Sequence, residues 1–224
     1  MKRMATKGIQ DIVTYLMYQK VISISLYESF WDTSPFIRLK NICFAGPWIT
    51  AYSKRDEHQI TKGHQLTTIP LLDKEWKISF DFMATSFKGI RQVLHLTTGG
   101  VGSGGGAKYG DRTPAIWTHP TKGFLVSSAV SGKVSYAKWF KALPQPGEWI
   151  NIEISQVVEV SNIMYSITIG GKKVFSVKNT KPAKFENVKV FSSSSWYTAT
   201  SGFIRNLLIE NVNGGKLRKH LNEG

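Results

Sequence analysis

The segment 109–119 concentrates side chains that can do chemistry. It holds an acid and a base, Asp111 and Arg112, together with Tyr109, Trp117 and His119. Asp111 with neighbouring backbone carbonyls is a candidate Ca²⁺ ligand, because calcium takes about six to eight oxygens. The alternative is an Asp111–Arg112 ion pair that fixes the loop. A net charge of +14 opposes a bound cation. Calcium is therefore a candidate cofactor only, and the sequence establishes no cofactor with certainty.

Two further clusters place aromatic residues in polar or basic surroundings. Trp196 and Tyr197 follow four serines, and Trp139 lies in the segment KWFK at 138–141. Exposed aromatic side chains bind sugars or proteins and are enriched at interfaces, whereas packing under the edge of the fold is the alternative. Lysines interleaved with aromatics can also accompany stacked bases, but no nucleic-acid fold signature occurs. The candidate ligand-binding residues are Tyr109, Arg112, Trp117, His119, Trp139, Trp196 and Tyr197.

The usual catalytic patterns are missing from the sequence. A retaining glycosidase needs two carboxylates about 5–5.5 Å apart, but Glu148 and Glu153 are five residues apart and would face opposite sides of a strand. Ser103 lies among glycines without the G-x-S-x-G spacing or a following helix. The histidines show no metal-ligand spacing, and His95 lies in an apolar pattern that favours a buried core residue. We therefore predict that the protein is not an enzyme.

The glycine-dense run 99–110 contains seven glycines. So many glycines predict a flexible surface loop. A phosphate-binding loop would require G-x-x-x-x-G-K-[ST] before a helix, and neither the lysine with its hydroxyl neighbour nor the helix follows here.

Length and composition indicate a globular chain with a sizeable core. The 224 residues are 42% hydrophobic and 12% aromatic, with 29 basic against 15 acidic residues. That balance favours polyanionic partners such as acidic glycans, although a solvated lysine-rich surface explains it equally. Cys43 is the only cysteine, so an intrachain disulfide is excluded. No apolar stretch reaches the roughly 18 residues of a membrane-spanning helix, and the basic N-terminus makes a poor secretory signal.

The elements that must position these residues are almost all strands. From Trp76 to Phe82 apolar and polar side chains alternate, which is typical of a strand with one buried side. Gly170-Gly171 lies between two alternating runs and predicts a hairpin with a two-residue primed turn. Further strands are predicted at 93–96, 115–118, 124–130, 149–155, 188–191 and 203–209. Short strands at regular spacing favour an all-β, antiparallel two-sheet sandwich, or jelly roll.

The chain divides into three parts on this evidence. Residues 1–61 form an N-terminal extension whose first 20 residues fit an amphipathic helix and whose remainder is unassigned. Residues 62–211 form the sandwich, and 212–224 form a short basic tail.

Several stretches resemble the concanavalin A-like lectin and glucanase superfamily, most of all its laminin G and pentraxin-like branch. These stretches are the segments 148–154, 165–177 and 202–207, and their order along the chain also matches. The segments 70–76, 108–117 and 188–190 are also similar to modules of cnidarian skeletal-matrix and cell-surface proteins. The resemblance covers about two thirds of the chain. It implies a jelly roll whose edge loops bind glycan or protein, often with calcium, outside the cell or at its surface.

The function that we expect is a non-catalytic module that binds glycans, acidic ones favoured, or extracellular-matrix partners. One alternative is a structural protein that self-associates through the apolar stripe of residues 1–30. The other is a glycan-active enzyme.

Overall fold

The computed structural model describes residues 47–99 and 108–212, and the regular elements within them are strands. Ile49–Asn211 form one compact unit. No helix among these residues is long and apolar enough to cross a membrane. The helix predicted for residues 1–20, the self-association stripe, residues 213–224 of the basic tail and most of the glycine-rich loop lie outside the described residues. The strands are β1 Trp48–Lys54, β2 His58–Gln59, β3 His64–Leu72, β4 Trp76–Ser86, β5 Arg91–Thr97, β6 Ala115–His119, β7 Gly123–Val130, β8 Lys133–Phe140, β9 Trp149–Glu159, β10 Asn162–Ile169, β11 Lys172–Lys178, β12 Phe185–Ser193 and β13 Ser201–Val212.

Two antiparallel sheets face each other, which confirms the predicted sandwich. The seven-stranded sheet has the order β1-β13-β4-β9-β10-β11, with β2 paired to β13. The six-stranded sheet has the order β3-β12-β5-β6-β7-β8. Strands β1 and β2 belong to this sandwich and precede residue 62, its predicted first residue.

The core lies between the sheets and follows from the alternation along each strand. In β4, Trp76, Ile78, Phe80 and Phe82 are each at most 1% exposed. They pack with Ile152, Ile154 and other residues of both sheets, since every second side chain of a strand points to the same face.

The predicted hairpin of β10 and β11 is confirmed. Gly170 and Gly171 have φ values of 58° and 75°, as the two central positions of a type I′ turn require. Strands β1, β2, β3 and β8 were not predicted from the sequence, and β8 carries a predicted site residue, Trp139.

Candidate functional site

The outer face of the six-stranded sheet carries a row of large side chains. Gln92 of β5, Trp117 of β6, Leu125 of β7 and Trp139 of β8 are register partners across four neighbouring strands. They therefore lie on one side of the sheet. Ile116, next to Trp117 in sequence, belongs to the core, so this row faces away from it. We call the surface formed by Arg112, Trp117, His119, Trp139 and Tyr197 the aromatic face.

Trp117 lies at the centre of this face and is covered by its neighbours. Only 2% of the residue is exposed. The Tyr197 ring meets the indole edge-on, with centroids 5.3 Å apart. The Cζ atom of Arg112 lies 5.2 Å from the indole centroid, within the range of a cation–π contact. Trp117 thus anchors Arg112 and Tyr197 rather than offering a free surface of its own.

Hydroxyl groups hold the guanidinium of Arg112. Its Nη1 donates to Ser135 Oγ at 2.7 Å, and its Nη2 lies 3.4 Å from the Tyr197 hydroxyl. Ser135 Oγ in turn lies 2.8 Å from Ser127 Oγ. A planar guanidinium in such a setting can bind carboxylate or sulfate oxygens in pairs.

Trp139 is the exposed aromatic residue of this face. It is 38% exposed, and His119 meets its ring edge-on at 5.9 Å. The Nζ atom of Lys122 lies 5.5 Å from the indole centroid. The backbone N–H of Thr121 donates to His119 Nδ1 at 3.3 Å, which keeps Nδ1 an acceptor. An exposed indole is thereby flanked by an imidazole and an ammonium group.

The segment 194–200 is fastened to β5 and brings Trp196 and Tyr197 to the face. The backbone N–H and the hydroxyl of Ser194 both donate to Gln92 Oε1 at 2.7 Å. The backbone of Gln92 also bonds to Thr198 and Thr200. Trp196 meets the ring of His95, which lies on the same side of the sheet as Trp117.

The expectation of a buried histidine is confirmed, but His95 lies on the outer side of the sheet, against the ring of Trp196, and not in the core between the sheets. Its Nε2–H donates to the carbonyl of Asp111 at 2.7 Å. Burial is the main cause of a pKa lowered to about 4; the charge of Arg112 acts in the same direction, and the hydrogen bond to the Asp111 carbonyl and the charge of Asp111 act against it. The imidazole is therefore neutral at pH 7. Among the described residues, Nδ1 has no hydrogen-bond partner, and the same holds for Gln92 Nε2 and Trp117 Nε1.

Asp111 is buried in the turn that precedes the aromatic face. Its Oδ2 accepts from the backbone N–H of Lys108 at 2.7 Å, and its own N–H donates to the Lys108 carbonyl at 3.1 Å. The carboxylate thereby holds the turn closed. Among residues 47–99 and 108–212, no group of three or more histidine, cysteine, aspartate or glutamate residues is arranged so that it could hold a metal ion. The calcium site at Asp111 stays a prediction.

The structure brings most of the candidate ligand-binding residues together and separates one from them. Arg112, Trp117, His119, Trp139 and Tyr197 form the aromatic face, and Trp196 lies beside it on His95. Tyr109 instead packs against the core, with its ring 5.7 Å from that of Phe185 and its hydroxyl donating to the Lys181 carbonyl at 2.8 Å.

Sequence reasoning missed the polar partners of this face. Ser135, Ser127, Gln92 and Lys122 sit among ordinary strand and turn residues, so their type alone does not distinguish them. The signal that was available is the alternation in β8, where Ser135, Ala137 and Trp139 take one side.

Among the comparisons with known proteins, only the one with solved structures finds matches. No family model matches the chain, and the search of curated proteins found no match. One similar structure is a native heptameric SAP-like pentraxin from Limulus polyphemus, with a TM-score of 0.46 and 10% identity over 69% of this chain and 76% of that one. Another is the CBM40 of the Ruminococcus gnavus IT-sialidase bound to α2,3 sialyllactose, with a TM-score of 0.47 and 11% identity over 73% and 91%.

A third is domain 4 of an extracellular arabinanase from Geobacillus stearothermophilus in complex with arabinotriose. It has a TM-score of 0.45 and 15% identity over 65% of this chain and 66% of that one. A pentraxin is thus among the matches, and the sequence resembles the pentraxin-like branch. At these identities and TM-scores the matches carry no conclusion about the ligand or the function of this chain.

Proposed function

We propose that the protein is a non-catalytic glycan-binding module and that the aromatic face is its binding site. The observation that carries the proposal is Trp139, an indole that is 38% exposed on a strand of a well-packed sheet. One face of a sugar ring is rich in C–H groups and packs on an indole, which combines a large apolar surface with few rotatable bonds.

The neighbours of Trp139 supply polar contacts for the rest of a sugar. His119 and Lys122 flank the indole. Ser135 lies four residues from Trp139 on the same strand, about 13 Å away at the rise of an extended chain, and it holds Arg112. A chain of more than one sugar ring can therefore reach from the indole to the guanidinium.

The cations of the face favour acidic sugars over neutral ones. The ammonium group of Lys122 and the guanidinium of Arg112 attract carboxylate or sulfate groups, and salt weakens that attraction between exposed charges. Acidic glycans and glycan-bearing matrix proteins occur mainly outside cells, so the proposal includes an extracellular or cell-surface location. It does not depend on calcium, which is a separate proposal for Asp111.

We propose binding rather than hydrolysis because the segments that form the face carry too few carboxylates for hydrolysis. Most glycoside hydrolases use two carboxylates. Among the described residues of the segments 91–99, 108–140 and 194–200, Asp111 is the only carboxylate, and it is buried.

A glycan array probed with the full chain, in calcium and again in EDTA, tests this proposal. The variant Trp139→Ala is compared with Trp149→Ala, which removes an indole from the outer face of the other sheet. We expect Trp139→Ala to weaken binding to the best sugars by about tenfold or more, as loss of an interface tryptophan commonly does. Trp149→Ala should leave binding unchanged, because Arg205 lies 4.0 Å from its ring centroid and occupies that face.

Three results would count against the proposal. They are a blank array, an equal loss in both variants, and sugar turnover by the wild-type chain. Loss of binding in EDTA would support the calcium proposal for Asp111 while leaving the role of Trp139 in place.

A further inference from the structure

A second surface, separate from the aromatic face, runs along one edge of the sandwich and is dominated by lysines. The segments 133–141 and 172–184 contain no arginine and no carboxylate, and every lysine in them is exposed. We call this surface the lysine edge. Its eight residues are Lys133, Lys138, Lys141, Lys172, Lys173, Lys178, Lys181 and Lys184.

Side-chain contacts bring the two segments together. Strand β8 ends the six-stranded sheet and β11 ends the seven-stranded one. The ring of Phe175 on β11 lies 6.0 Å from that of Tyr136 and 6.2 Å from that of Phe140, both on β8. The two terminal strands therefore lie against each other along one edge.

Hydrogen bonds fix one end of this edge. In the turn before β8, the backbone N–H of Ser131 donates to Asn179 Oδ1 at 2.8 Å, and its hydroxyl donates to the carbonyl of Lys178 at 3.2 Å. Lys181 packs against Gly132, where an added Cβ would lie 2.9 Å from Lys181 Cδ. The position of the lysines on β11 relative to those on β8 is thus set by the fold.

Few of these charges are compensated within the domain. Lys173 pairs with Glu159 and Lys184 pairs with Asp73, each at 3.2 Å. The other six lysines form no ion pair with any described residue. An eight-residue strand spans about 25 Å, so these charges form a line rather than a point.

The lysine edge fits a flexible and densely charged chain. Arginine would bind single phosphate or carboxylate groups through its planar fork, whereas lysine acts as a point charge with little geometric preference. A row of lysines alone therefore recognises charge density along a polymer. Sulfate esters remain ionised at all physiological pH values, so a sulfated polysaccharide supplies such a row of anions.

The ring contacts disfavour single-stranded nucleic acid as the polymer. Binding of that kind uses aromatic faces that are free to stack bases. Here Lys138 Nζ lies 5.6 Å from the Tyr136 centroid and 5.7 Å from that of Phe175, and Lys133 Nζ lies 5.6 Å from Tyr136. Both rings also pack against the core and against each other, so they are not free to stack bases.

We propose that the lysine edge binds a linear sulfated polysaccharide, independently of the sugar site proposed at Trp139. The competing explanation is that lysines on terminal strands only prevent edge-to-edge pairing between copies of the chain. That explanation predicts no binding to a polysaccharide beyond what the net charge gives.

Dextran sulfate and uncharged dextran are matched probes for this proposal, since they differ only in sulfation. The test variant of the full chain carries Lys133→Gln, Lys138→Gln, Lys172→Gln and Lys178→Gln. The control variant loses the same charge elsewhere, through Lys54→Gln, Lys62→Gln, Lys74→Gln and Lys88→Gln. Thermal unfolding and light scattering of each variant check the fold and the oligomeric state.

We expect the wild-type chain to bind dextran sulfate and not dextran. The test variant should bind at least about tenfold more weakly, and the slope of log affinity against log salt should fall by about 3, at roughly 0.7 per charge on a single-stranded polyanion. The control variant should stay within about threefold of wild type. Trp139→Ala should retain dextran sulfate binding, which separates this site from the sugar site.

Four outcomes would overturn the proposal. One is no binding of dextran sulfate by the wild-type chain, and another is an equal loss in the test and control variants. The third is aggregation of the test variant with unchanged binding, which would leave the lysines a role against edge pairing alone. The fourth is tighter binding of single-stranded or duplex DNA than of dextran sulfate at equal charge.

Discussion

The outer faces of the two sheets differ in the neighbours that surround their charged side chains. On the seven-stranded sheet, Asp81 accepts hydrogen bonds from Asn151 at 2.9 Å and Asn206 at 2.8 Å and pairs with Arg205 at 3.5 Å. Lys77 pairs with Glu210 at 3.1 Å on the same face. Arg205 also covers the ring of Trp149 at 4.0 Å. The charged side chains of this face and the indole of Trp149 are thus paired with neighbours within the domain.

On the aromatic face the cations lie over rings and beside hydroxyl groups. Arg112 contacts Trp117, Ser135 and Tyr197, and Lys122 lies over Trp139. A side chain whose charge is matched by an internal carboxylate gains little from an external anion, whereas Lys122, which lies over an indole and forms no ion pair with a described residue, keeps its attraction for one. The comparison therefore supports the proposal that ligands bind on the aromatic face.

The largest effect in this comparison is expected for the buried indole. Trp117→Ala should lower the free energy of unfolding by about 3–5 kcal/mol, as loss of a buried tryptophan does, because Arg112 and Tyr197 lose the ring that supports them. Trp149→Ala, on the other face, should cost about 1 kcal/mol, the scale of a partly exposed cation–π contact. Urea unfolding of both variants measures the difference. Equal costs would show that the two indoles play the same packing role.

The next effect is a pH dependence that comes from His95. Because the folded pKa is about 4 and the unfolded value is about 6.5, the unfolded chain binds the proton more readily between these pH values. Stability from this group is therefore complete above about pH 6.5 and falls as the pH drops, by about 3 kcal/mol near pH 4.

His95→Gln is the control for that prediction. Its amide can still donate to the Asp111 carbonyl, but it does not titrate. Urea unfolding at pH 7 and pH 4.5 should show a much smaller loss in the variant than in the wild type. His58, whose pKa burial also lowers, is present in both chains, so the difference isolates His95. The same acid-induced loss in both chains would contradict the prediction.

The smallest effect is expected from Asp81, in a different pH window. Burial alone would raise its pKa, but hydrogen bonds from Asn151, Asn206 and Arg205 and the charge of Arg205 outweigh it and lower the pKa. Its stabilisation is thus present above about pH 4 and is lost as the pH falls further. Asp81→Asn should cost below about 1 kcal/mol at pH 7, and the difference from wild type should shrink by pH 3. A thermal unfolding series across pH 3–7 measures this. A difference that stays constant across the series would show that Asp81 acts without its charge.

Local patterns predicted much of the sheet structure. The alternation in Trp76–Phe82 gave a strand with one buried side, and Gly170-Gly171 gave the hairpin turn, because both depend on neighbouring residues only. Strand β8 escaped prediction since Lys138 interrupts the apolar side formed by Val134, Tyr136 and Phe140. The sequence also gave no reason to join segment 109–119 with Trp139, because their contact arises from the pairing of β6, β7 and β8.

Trp117 shows most clearly where sequence reasoning ends. Its type marks it as a candidate for ligand contact, and the sequence places it in a strand. Whether the ring is open or covered depends on Tyr197, eighty residues further on, and on the hydrogen bonds that fasten segment 194–200 to Gln92. On the aromatic face, the structure leaves Trp139, rather than Trp117, as the exposed indole.

The sequence by itself determined that this chain forms short alternating strands, carries a large positive charge and holds its aromatic and basic residues in a few clusters. These properties depend on residue type and on spacing within ten or so positions. Only the tertiary structure decided that Tyr109 supports the core, that Arg112 rests on Trp117, and that lysines from β8 and β11 form one line. Such arrangements follow from strand order and sheet packing, which bring together side chains that are far apart in the chain.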